Sequence, residues 1–184
     1  MIAYAITDSS TLDFNTLEDD LRHFSSKSTM IVYRDKNTLN YAENAKVFLD
    51  YAKDFDKVLL HTDYKLAATL DADGVHLKST QLEAIKKAKA LNLFVVVSTH
   101  TREEAQNAVF LGADMITFSP VFDTPNKGKP VGLEVLEEII LSVTIPVIAL
   151  GGILTQKEIE SCERVGAKGF ASIRYFEKKP HKLL

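Results

Sequence analysis

Short apolar runs rich in β-branched residues recur along the chain and are separated by longer, more polar segments. Each run is nearly continuously apolar rather than alternating, which is typical of parallel strands that are covered on both faces. The pattern therefore predicts eight strands, at Ile2–Thr7, Thr29–Arg34, Lys57–His61, Gly74–Leu77, Phe94–Thr99, Met115–Val121, Pro146–Leu150 and Gly169–Arg174.

The segments between these runs have the period of amphipathic helices. Capping boxes, in which a Thr and a Glu three residues later satisfy free N–H groups, predict helix starts at Thr80, Thr101 and Thr155. Gly112 and Gly166 predict helix ends, because glycine readily adopts the left-handed conformation. The apolar faces of the predicted helices are Tyr41, Ala45, Phe48, Leu49 and Ala52; Leu82, Ile85 and Ala88; Ala105, Ala108 and Val109; and Ile159, Cys162 and Val165.

Strand and helix alternate along the chain, which predicts a parallel sheet with right-handed crossovers. Eight such units close a barrel more naturally than they form an open sheet. We therefore predict an α/β fold of the (β/α)8 TIM barrel type, with a single domain over residues 1–184. The barrel is expected to be compact, with a short or truncated last helix from Tyr175 on.

Charge and cysteine content exclude several classes of protein. The chain has 22 Lys and Arg against 25 Asp and Glu, a formal net charge of −3, so we expect no nucleic-acid or membrane partner. The single Cys162 excludes an internal disulfide, and the N-terminal residues lack the regions of a signal peptide. We expect a cytoplasmic protein that binds small molecules, and homo-oligomerisation is compatible with this composition.

Ligands of parallel α/β folds bind at the carboxyl ends of the strands, so polar residues there are the candidates for chemistry. Arg34 and Lys36 follow the second strand at a spacing of two, so their side chains leave on the same side of the chain. A planar guanidinium beside an ammonium suits a diphosphate, and we predict a catalytic role for both cations. A solvated loop with scattered charges is the alternative.

Two segments at the last two strands predict a phosphate site. Gly151 and Gly152 would let backbone N–H groups approach a ligand closely, although a plain tight turn has the same composition. Ser172, Ile173 and Arg174 end the eighth strand, and the loops after strands seven and eight hold phosphate in this architecture. We expect Arg174 to bind the same phosphate.

The segment after the sixth strand, residues 119–132, is the longest turn-rich stretch of the chain. Long loops in compact domains are often lids or binding loops, and Thr124, Asn126 and Lys127 offer hydrogen-bond donors to an anion. We predict Lys127 as a third catalytic cation and the other two as substrate-binding residues. A mobile surface loop is the alternative.

Histidine and serine residues near the strand ends complete the candidate set. Ser98 and His100 are expected to contact substrate rather than to form a nucleophilic pair, because no orienting acid accompanies them. His61 is a further substrate-binding candidate, whereas His76 is predicted to be a hydrogen-bonded histidine inside the barrel. The rim has few carboxylates besides Asp63, so we predict no metal site built from protein ligands.

Several segments, taken in order, resemble the thiamine phosphate synthase and TenI family over almost the whole chain. The most specific block runs from Gly112-Ala113-Asp114 to Pro120-Val121-Phe122. The other matching segments are Tyr4-Ala5-Ile6-Thr7-Asp8, Arg34-Asp35-Lys36, Ala72-Asp73-Gly74-Val75-His76-Leu77, Ser98-Thr99-His100-Thr101 and Ile145-Pro146-Val147-Ile148-Ala149-Leu150-Gly151-Gly152-Ile153.

The resemblance implies an enzyme of thiamine biosynthesis. The family synthase joins hydroxymethylpyrimidine diphosphate to thiazole phosphate with Mg²⁺ and releases pyrophosphate through a dissociative step. Arg34 and Lys36 would then hold the diphosphate, and Gly152 with Ile173 would contact the thiazole phosphate. Ser98, Thr124 and Lys127 would line the substrate site.

The chain departs from the family pattern at several positions. The family Gln two residues before the arginine is Val32, the family Asn-Asp pair is His61-Thr62, and a second acidic ligand corresponds to Gln81. The second Thr of the loop motif is Asn126, and a phosphate-binding Ser corresponds to Arg174. We therefore expect Mg²⁺ to bind only through the substrate diphosphate.

Two other functions stay open beside a divergent synthase. TenI relatives that act as thiazole tautomerases have a His at the residue before Val121, and this chain has Pro120 there, as synthases do. A tautomerase would need another acid or base, such as His100 or His61. A non-catalytic protein that binds phosphorylated ligands is the third hypothesis.

Overall fold

Eight parallel strands close a barrel in the computed structural model, which describes residues 1–178. Each strand is hydrogen-bonded to the next one along the chain, and the last strand pairs with the first. The strands are β1 Ile2–Ile6, β2 Met30–Tyr33, β3 Lys57–His61, β4 Gly74–Leu77, β5 Phe94–Thr99, β6 Met115–Phe118, β7 Val147–Leu150 and β8 Gly169–Ser172. The prediction of an eight-stranded TIM barrel is confirmed.

Seven α-helices alternate with the strands in the described part of the chain. They are α1 Leu17–Ser25, α2 Tyr41–Tyr51, α3 Tyr64–Thr69, α4 Leu82–Ala90, α5 Arg102–Leu111, α6 Gly132–Ser142 and α7 Gln156–Arg164. A 3-10 turn, Ser79–Gln81, precedes α4, and a second one, Arg174–Phe176, follows β8. The last helix was expected from Tyr175 on, and residues 179–184 of that stretch lie outside the described residues.

Four of the eight predicted strands, the first, second, sixth and eighth, run too far at their carboxyl ends, whereas the other four end where predicted. Thr7, Arg34 and residues 119–121 and 173–174 lie outside the strands of the structure. These residues belong to the loops that form the upper rim, where backbone pairing gives way to contacts with side chains and ligands. Apolar character alone could not mark this change, because Val121 and Ile173 are as apolar as the strands they follow.

The helix starts agree with the predicted capping boxes at two of three positions. The Thr155 N–H donates to the Glu158 carboxylate at 2.7 Å, and the Thr101 hydroxyl accepts from the Glu104 N–H at 3.1 Å. The predicted box at Thr80 is wrong, because a 3-10 turn occupies this stretch and α4 begins only at Leu82. Both predicted glycine ends have positive φ, 97° at Gly112 and at Gly166.

The Ala-Asp pairs that precede β4 and β6 make hydrogen bonds at the lower rim of the barrel. The Asp73 carboxylate accepts from the Val58 N–H at 2.7 Å, and the Asp114 carboxylate accepts from the Val95 N–H at 2.8 Å. Asp114 also pairs with the Lys89 ammonium at 2.7 Å. Each aspartate therefore satisfies a backbone donor at the start of a neighbouring strand.

The core has two layers. The larger one lies between the barrel wall and the helices and contains Phe24, Phe48, Leu60, Ile85 and Phe118. The smaller one fills the inside of the barrel and consists of Tyr4, Ile6, Met30, Val32, Leu59, Val96, Met115, Ile148 and Ala171. The barrel is thus a packed core with open space only at its rim. None of the helices in the described part of the chain is long and apolar enough to cross a membrane.

Substitution of Gly74 tests how closely β4 and β5 pack. A Cβ at this position would lie 2.1 Å from the Phe94 carbonyl oxygen, a backbone atom that cannot move away without disturbing the ladder. We expect Gly74→Ala to lower the free energy of unfolding in urea by about 2 to 3 kcal/mol. Gly128→Ala is the matched control, because nothing lies within 4 Å of a Cβ there, and it should change stability by less than about 0.5 kcal/mol. Equal stability of the two variants would contradict the close approach.

Candidate functional site

A cavity of about 340 Å³ opens at the carboxyl ends of the strands, where the sequence placed the candidate residues. Apolar side chains, among them Ile6, Leu150 and Ile173, form part of its wall, and basic and hydroxyl groups form most of the rest. The predicted site residues that line this cavity are Arg34, Lys36, His61, Ser98, His100, Thr124, Lys127, Gly151 and Ile173.

Four predicted site residues do not line the cavity, and their roles stay predictions. The Ser172 hydroxyl is buried and bonded within the protein, since it donates to the Ile153 carbonyl at 3.0 Å and accepts from the Tyr175 N–H. Asn126 lies in the loop after β6 with φ of 60°, and Arg174 begins the 3-10 turn after β8. Gly152 follows Gly151 in the turn after β7.

The two glycines after β7 are required by close packing against the loop after β6. A Cβ at Gly152 would lie 2.4 Å from the Asp123 carbonyl oxygen, and a Cβ at Gly151 would lie 2.8 Å from the Pro120 Cα. Both have positive φ, which side chains rarely adopt. The Gly-Gly pair therefore brings the loop that contains Thr124 and Lys127 onto the rim, in addition to any contact with a ligand.

Four cationic side chains line the same cavity: Arg34 and Lys36 after β2, Lys78 after β4, and Lys127 in the loop after β6. None of the residues that line the cavity carries a carboxylate. The mutual effect is visible at Lys36, whose pKa is lowered chiefly by Arg34, with further contributions from burial, Lys127 and Lys78. The cavity is thus an electropositive site suited to a multiply charged anion.

Lys78 was not recognised from the sequence. The signal was present, because Lys78 directly follows Leu77 at the end of β4, in the same way that Arg34 follows β2. Serine and threonine residues of the cavity wall were missed as well, namely Ser79, Thr80 and Ser119. They lie in loops where a hydroxyl has no distinctive spacing in the sequence.

Backbone bonds at the end of β2 hold Arg34 in place. The Thr7 hydroxyl accepts from the Arg34 N–H at 3.0 Å and donates to the Val32 carbonyl at 3.1 Å. The Asp35 carboxylate accepts from the Asn37 N–H at 2.8 Å and from the Thr38 N–H at 3.2 Å, which closes the turn after Arg34. Val32 itself is fully buried inside the barrel, so the position two residues before Arg34 offers no polar group.

A buried hydrogen-bonded chain leads from the barrel interior to the cavity. The Tyr4 hydroxyl is 2.9 Å from Nδ1 of His76, and Nε2 of His76 is 2.9 Å from the Ser98 hydroxyl. His76 is 3% exposed, so the prediction of a satisfied interior histidine is confirmed. The chain fixes the orientation of the Ser98 hydroxyl at the cavity wall, because both ring nitrogens of His76 have partners.

Two of the histidines at this end of the barrel, His61 and His76, are held neutral. Burial, followed by repulsion from Arg34, lowers the pKa of His76 to about 3. Burial also lowers the pKa of His61 to about 3, with smaller contributions from His76, Arg34, Lys78 and Lys36. Both imidazoles are therefore uncharged at neutral pH, and both are weak bases there.

Ser98 and His100 do not form a nucleophilic pair in the structure. The Ser98 hydroxyl is bonded to His76, whereas Nδ1 of His100 lies 3.0 Å from the Ser119 carbonyl oxygen. Both side chains line the cavity, and their role as substrate contacts stays a prediction.

The residues at the expected metal position do not fit Mg²⁺. The Asp63 carboxylate caps α3 by accepting from the Leu66 N–H at 2.9 Å. The Gln81 amide is used within the protein, since its nitrogen donates to the Thr62 carbonyl and its oxygen accepts from the Lys78 N–H. Within residues 1–178, no three His, Cys, Asp or Glu side chains are grouped so that they could hold a metal ion. Mg²⁺ prefers carboxylate oxygens, and the two carboxylates at this part of the rim, Asp35 and Asp63, both accept bonds from backbone N–H groups.

Comparison with known proteins identifies the family. The family model described as thiamine monophosphate synthase matches residues 3–176. The chain belongs to the thiamine monophosphate synthase family. The family resemblance expected from the sequence is thereby confirmed.

Individual relatives agree with this family. A protein of Aquifex aeolicus (strain VF5) named thiamine-phosphate synthase 2 is 35% identical over 179 residues, which are 94% of this chain and 96% of that protein. The thiamine-phosphate synthase of Methanosarcina barkeri is 31% identical over 177 residues, which are 92% of this chain and 79% of that protein.

A solved structure supports the same fold. The thiamine phosphate pyrophosphorylase of Pyrococcus furiosus superposes with a TM-score of 0.80 and 30% identity, covering 94% of this chain and 85% of that chain. More distant barrels, such as an N-acetylmannosamine-6-phosphate 2-epimerase of Clostridium perfringens at 15% identity and a TM-score of 0.73, share the fold alone.

The neutral state of His61 and His76 predicts a loss of stability in mild acid. The unfolded chain binds a proton at each histidine below its ordinary pKa of 6.5, whereas the folded protein does so only near pH 3. Stability is therefore fully present above about pH 6.5 and falls as the pH is lowered toward 3. We expect urea unfolding to show a loss of up to about 2 kcal/mol per histidine between pH 7 and pH 5.

The variant His61→Gln isolates one of the two contributions. Between pH 7 and pH 5, the free energy of unfolding of this variant should fall by up to about 2 kcal/mol, the contribution of His76 alone. The fall in the original chain should be larger by the contribution of His61. Identical pH slopes for the variant and the original chain would show that His61 is not held neutral in the folded state.

Proposed function

We propose that this chain joins a pyrimidine diphosphate to a phosphorylated thiazole, the reaction of a thiamine phosphate synthase, in the cationic cavity at the upper rim of the barrel. The observation that carries the proposal is the convergence of Arg34, Lys36 and Lys127 on one cavity. The resemblance assigns the first two of these to the diphosphate. Lys127 comes from a different segment of the chain than Arg34 and Lys36, so its convergence with them is a property of the fold and not of local sequence.

The chemistry of this condensation matches the charge of the cavity. The bond between the pyrimidine methylene carbon and a diphosphate oxygen breaks, and a bond between that carbon and the thiazole nitrogen forms. Negative charge grows on the departing pyrophosphate, and cations fixed in advance around it stabilise the transition state more than the ground state. Arg34 supplies two parallel N–H donors to phosphate oxygens, and the lysines act as point charges.

The rest of the wall suits the two organic rings. Ile6, Leu150 and Ile173 give the cavity an apolar part, against which flat heterocycles can pack. The Ser98 hydroxyl is oriented by His76 and can bond a ring substituent or a phosphate oxygen. Gly151 and Ile173 lie beside the ends of β7 and β8, where we place the thiazole phosphate.

The tautomerase alternative has less support. Proton transfer at a thiazole carbon needs a side chain whose pKa is near the working pH. The pKa of His61 is lowered to about 3, so this residue is a poor general acid and a poor general base at neutral pH. His100 lines the cavity and is the remaining candidate for that reaction.

An assay of the purified protein with both synthase substrates tests the proposal directly. We expect formation of thiamine phosphate together with an equal amount of pyrophosphate. Arg34→Gln should lower the rate by about a hundredfold, because it removes a charged donor from the departing diphosphate. Lys86→Gln on the exposed face of α4 is the matched control and should leave the rate unchanged.

Two outcomes would favour the other functions. Binding of both substrates without release of pyrophosphate, at any metal concentration, would point to a non-catalytic binding protein. Isomerisation of a thiazole phosphate without condensation would point to a tautomerase, and His100→Asn should then abolish it.

Arg174→Ala tests the position proposed for the thiazole phosphate. Loss of a charge-assisted contact costs about 1.5 to 3 kcal/mol, so calorimetry should show a drop in affinity for the phosphorylated thiazole of about tenfold or more. Affinity for inorganic pyrophosphate should be unchanged. An unaltered affinity for the thiazole ligand would place its phosphate elsewhere on the rim.

A further inference from the structure

Three neighbouring residues of the upper rim, Thr62, Lys78 and Gln81, together carry one basic group and no carboxylate. Thr62 and Gln81 stand at the positions where the resemblance implies metal-binding carboxylates, and Lys78 lies three residues before Gln81. The Gln81 side chain links these residues, because it bonds the Thr62 carbonyl at 3.1 Å and the Lys78 N–H at 3.1 Å. The backbone of Lys78 is therefore fixed beside the two positions where the resemblance implies metal-binding carboxylates.

The Lys78 side chain faces the region that a diphosphate would occupy. It lines the main cavity together with Arg34, Lys36 and Lys127. It also lines an adjoining cavity of about 500 Å³, which shares Lys36 and His61 with the first. Within residues 1–178, the Lys78 ammonium has no ion pair or hydrogen bond to a carboxylate, in contrast to Lys89 and Lys178.

The two lysines at the junction of these cavities can supply the charge of one divalent cation. Lys36 and Lys78 each carry one positive charge, and both line both cavities. Repulsion among the cations of this rim disfavours the empty site, and it lowers the pKa of Lys36, chiefly through Arg34 and burial and least through Lys78. A bound polyanion removes this repulsion, so part of the binding free energy comes from relief of charge crowding.

We propose that the Lys78 ammonium, together with Lys36, neutralises the substrate diphosphate in place of a metal ion, so that this chain binds diphosphate without a divalent cation. The inference rests on the proposed function for the identity of the diphosphate as a leaving group. Gln81 is a positioning residue, because its amide fixes the backbone of Lys78 and does not itself face the anion. Lys78 is a diphosphate-binding residue.

Calorimetric titration with inorganic pyrophosphate tests this inference without any turnover. We expect the unmodified chain to bind pyrophosphate in excess EDTA, and added Mg²⁺ to strengthen binding by less than about twofold. Lys78→Gln should weaken binding in EDTA by about tenfold or more, as expected for one charge-assisted contact. Lys86→Gln is the control, because it also removes one positive charge but lies on the exposed face of α4, outside the cavity. It should bind pyrophosphate as the unmodified chain does.

The Lys78→Gln variant should fold normally, because this side chain is exposed and makes no tertiary bond within the described residues. An unchanged urea midpoint will verify this. The conservative variant Lys78→Arg should retain most of the affinity, since the charge is kept. Pyrophosphate binding that requires Mg²⁺, or equal binding by Lys78→Gln and the unmodified chain in EDTA, would overturn the inference.

The turnover assay separates this inference from the proposed function. Pyrophosphate binding in EDTA that depends on Lys78, without formation of thiamine phosphate, would retain the metal-free anion site and reject the synthase. Condensation and pyrophosphate binding that both require Mg²⁺ would retain the synthase and reject the role of Lys78.

Discussion

Closure of the barrel is the constraint on which the rest of the structure depends. The pairing of β8 with β1, from Ile2 with Gly169 to Ala5 with Ser172, converts an open sheet into a ring in which every carboxyl strand end faces one rim. Residues as distant in sequence as Arg34 and Lys127 can therefore line one cavity. The inner core fills the barrel below them, so that a ligand can enter only from the top.

The top of this inner core is polar, and it determines what the cavity can do. Tyr4, His76 and Ser98 form a chain of hydrogen bonds that crosses from the barrel interior to the cavity wall. The neighbouring Arg34 guanidinium and the loss of water both oppose a charge on His76, which lowers its pKa to about 3. Positive charge is thus confined to the rim, and the layer just beneath it provides oriented but uncharged groups.

The sequence was sufficient for features that repeat and weaker for features that arise from tertiary contact. Strand positions followed from apolar runs, and Arg34 and Lys36 followed from their place after β2. The packing role of Gly152 could not be read in this way, because the Asp123 carbonyl that a side chain would strike comes from a different loop. Lys78 was missed because, without the barrel, a lysine at the start of a helical segment looks like an ordinary solvated charge.

The side chain at position 81 determines which partners are available to the neighbouring Lys78. A carboxylate at the Gln81 position would be drawn to a cation, whether a metal ion or the Lys78 ammonium. An amide there has no such attraction and instead satisfies the Thr62 carbonyl and the Lys78 N–H. The ammonium is then left without an acidic partner in the described chain and remains available to an anion. The amide of Gln81 and the ammonium of Lys78 are therefore linked electrostatically, since a carboxylate at position 81 would offset the positive charge of Lys78.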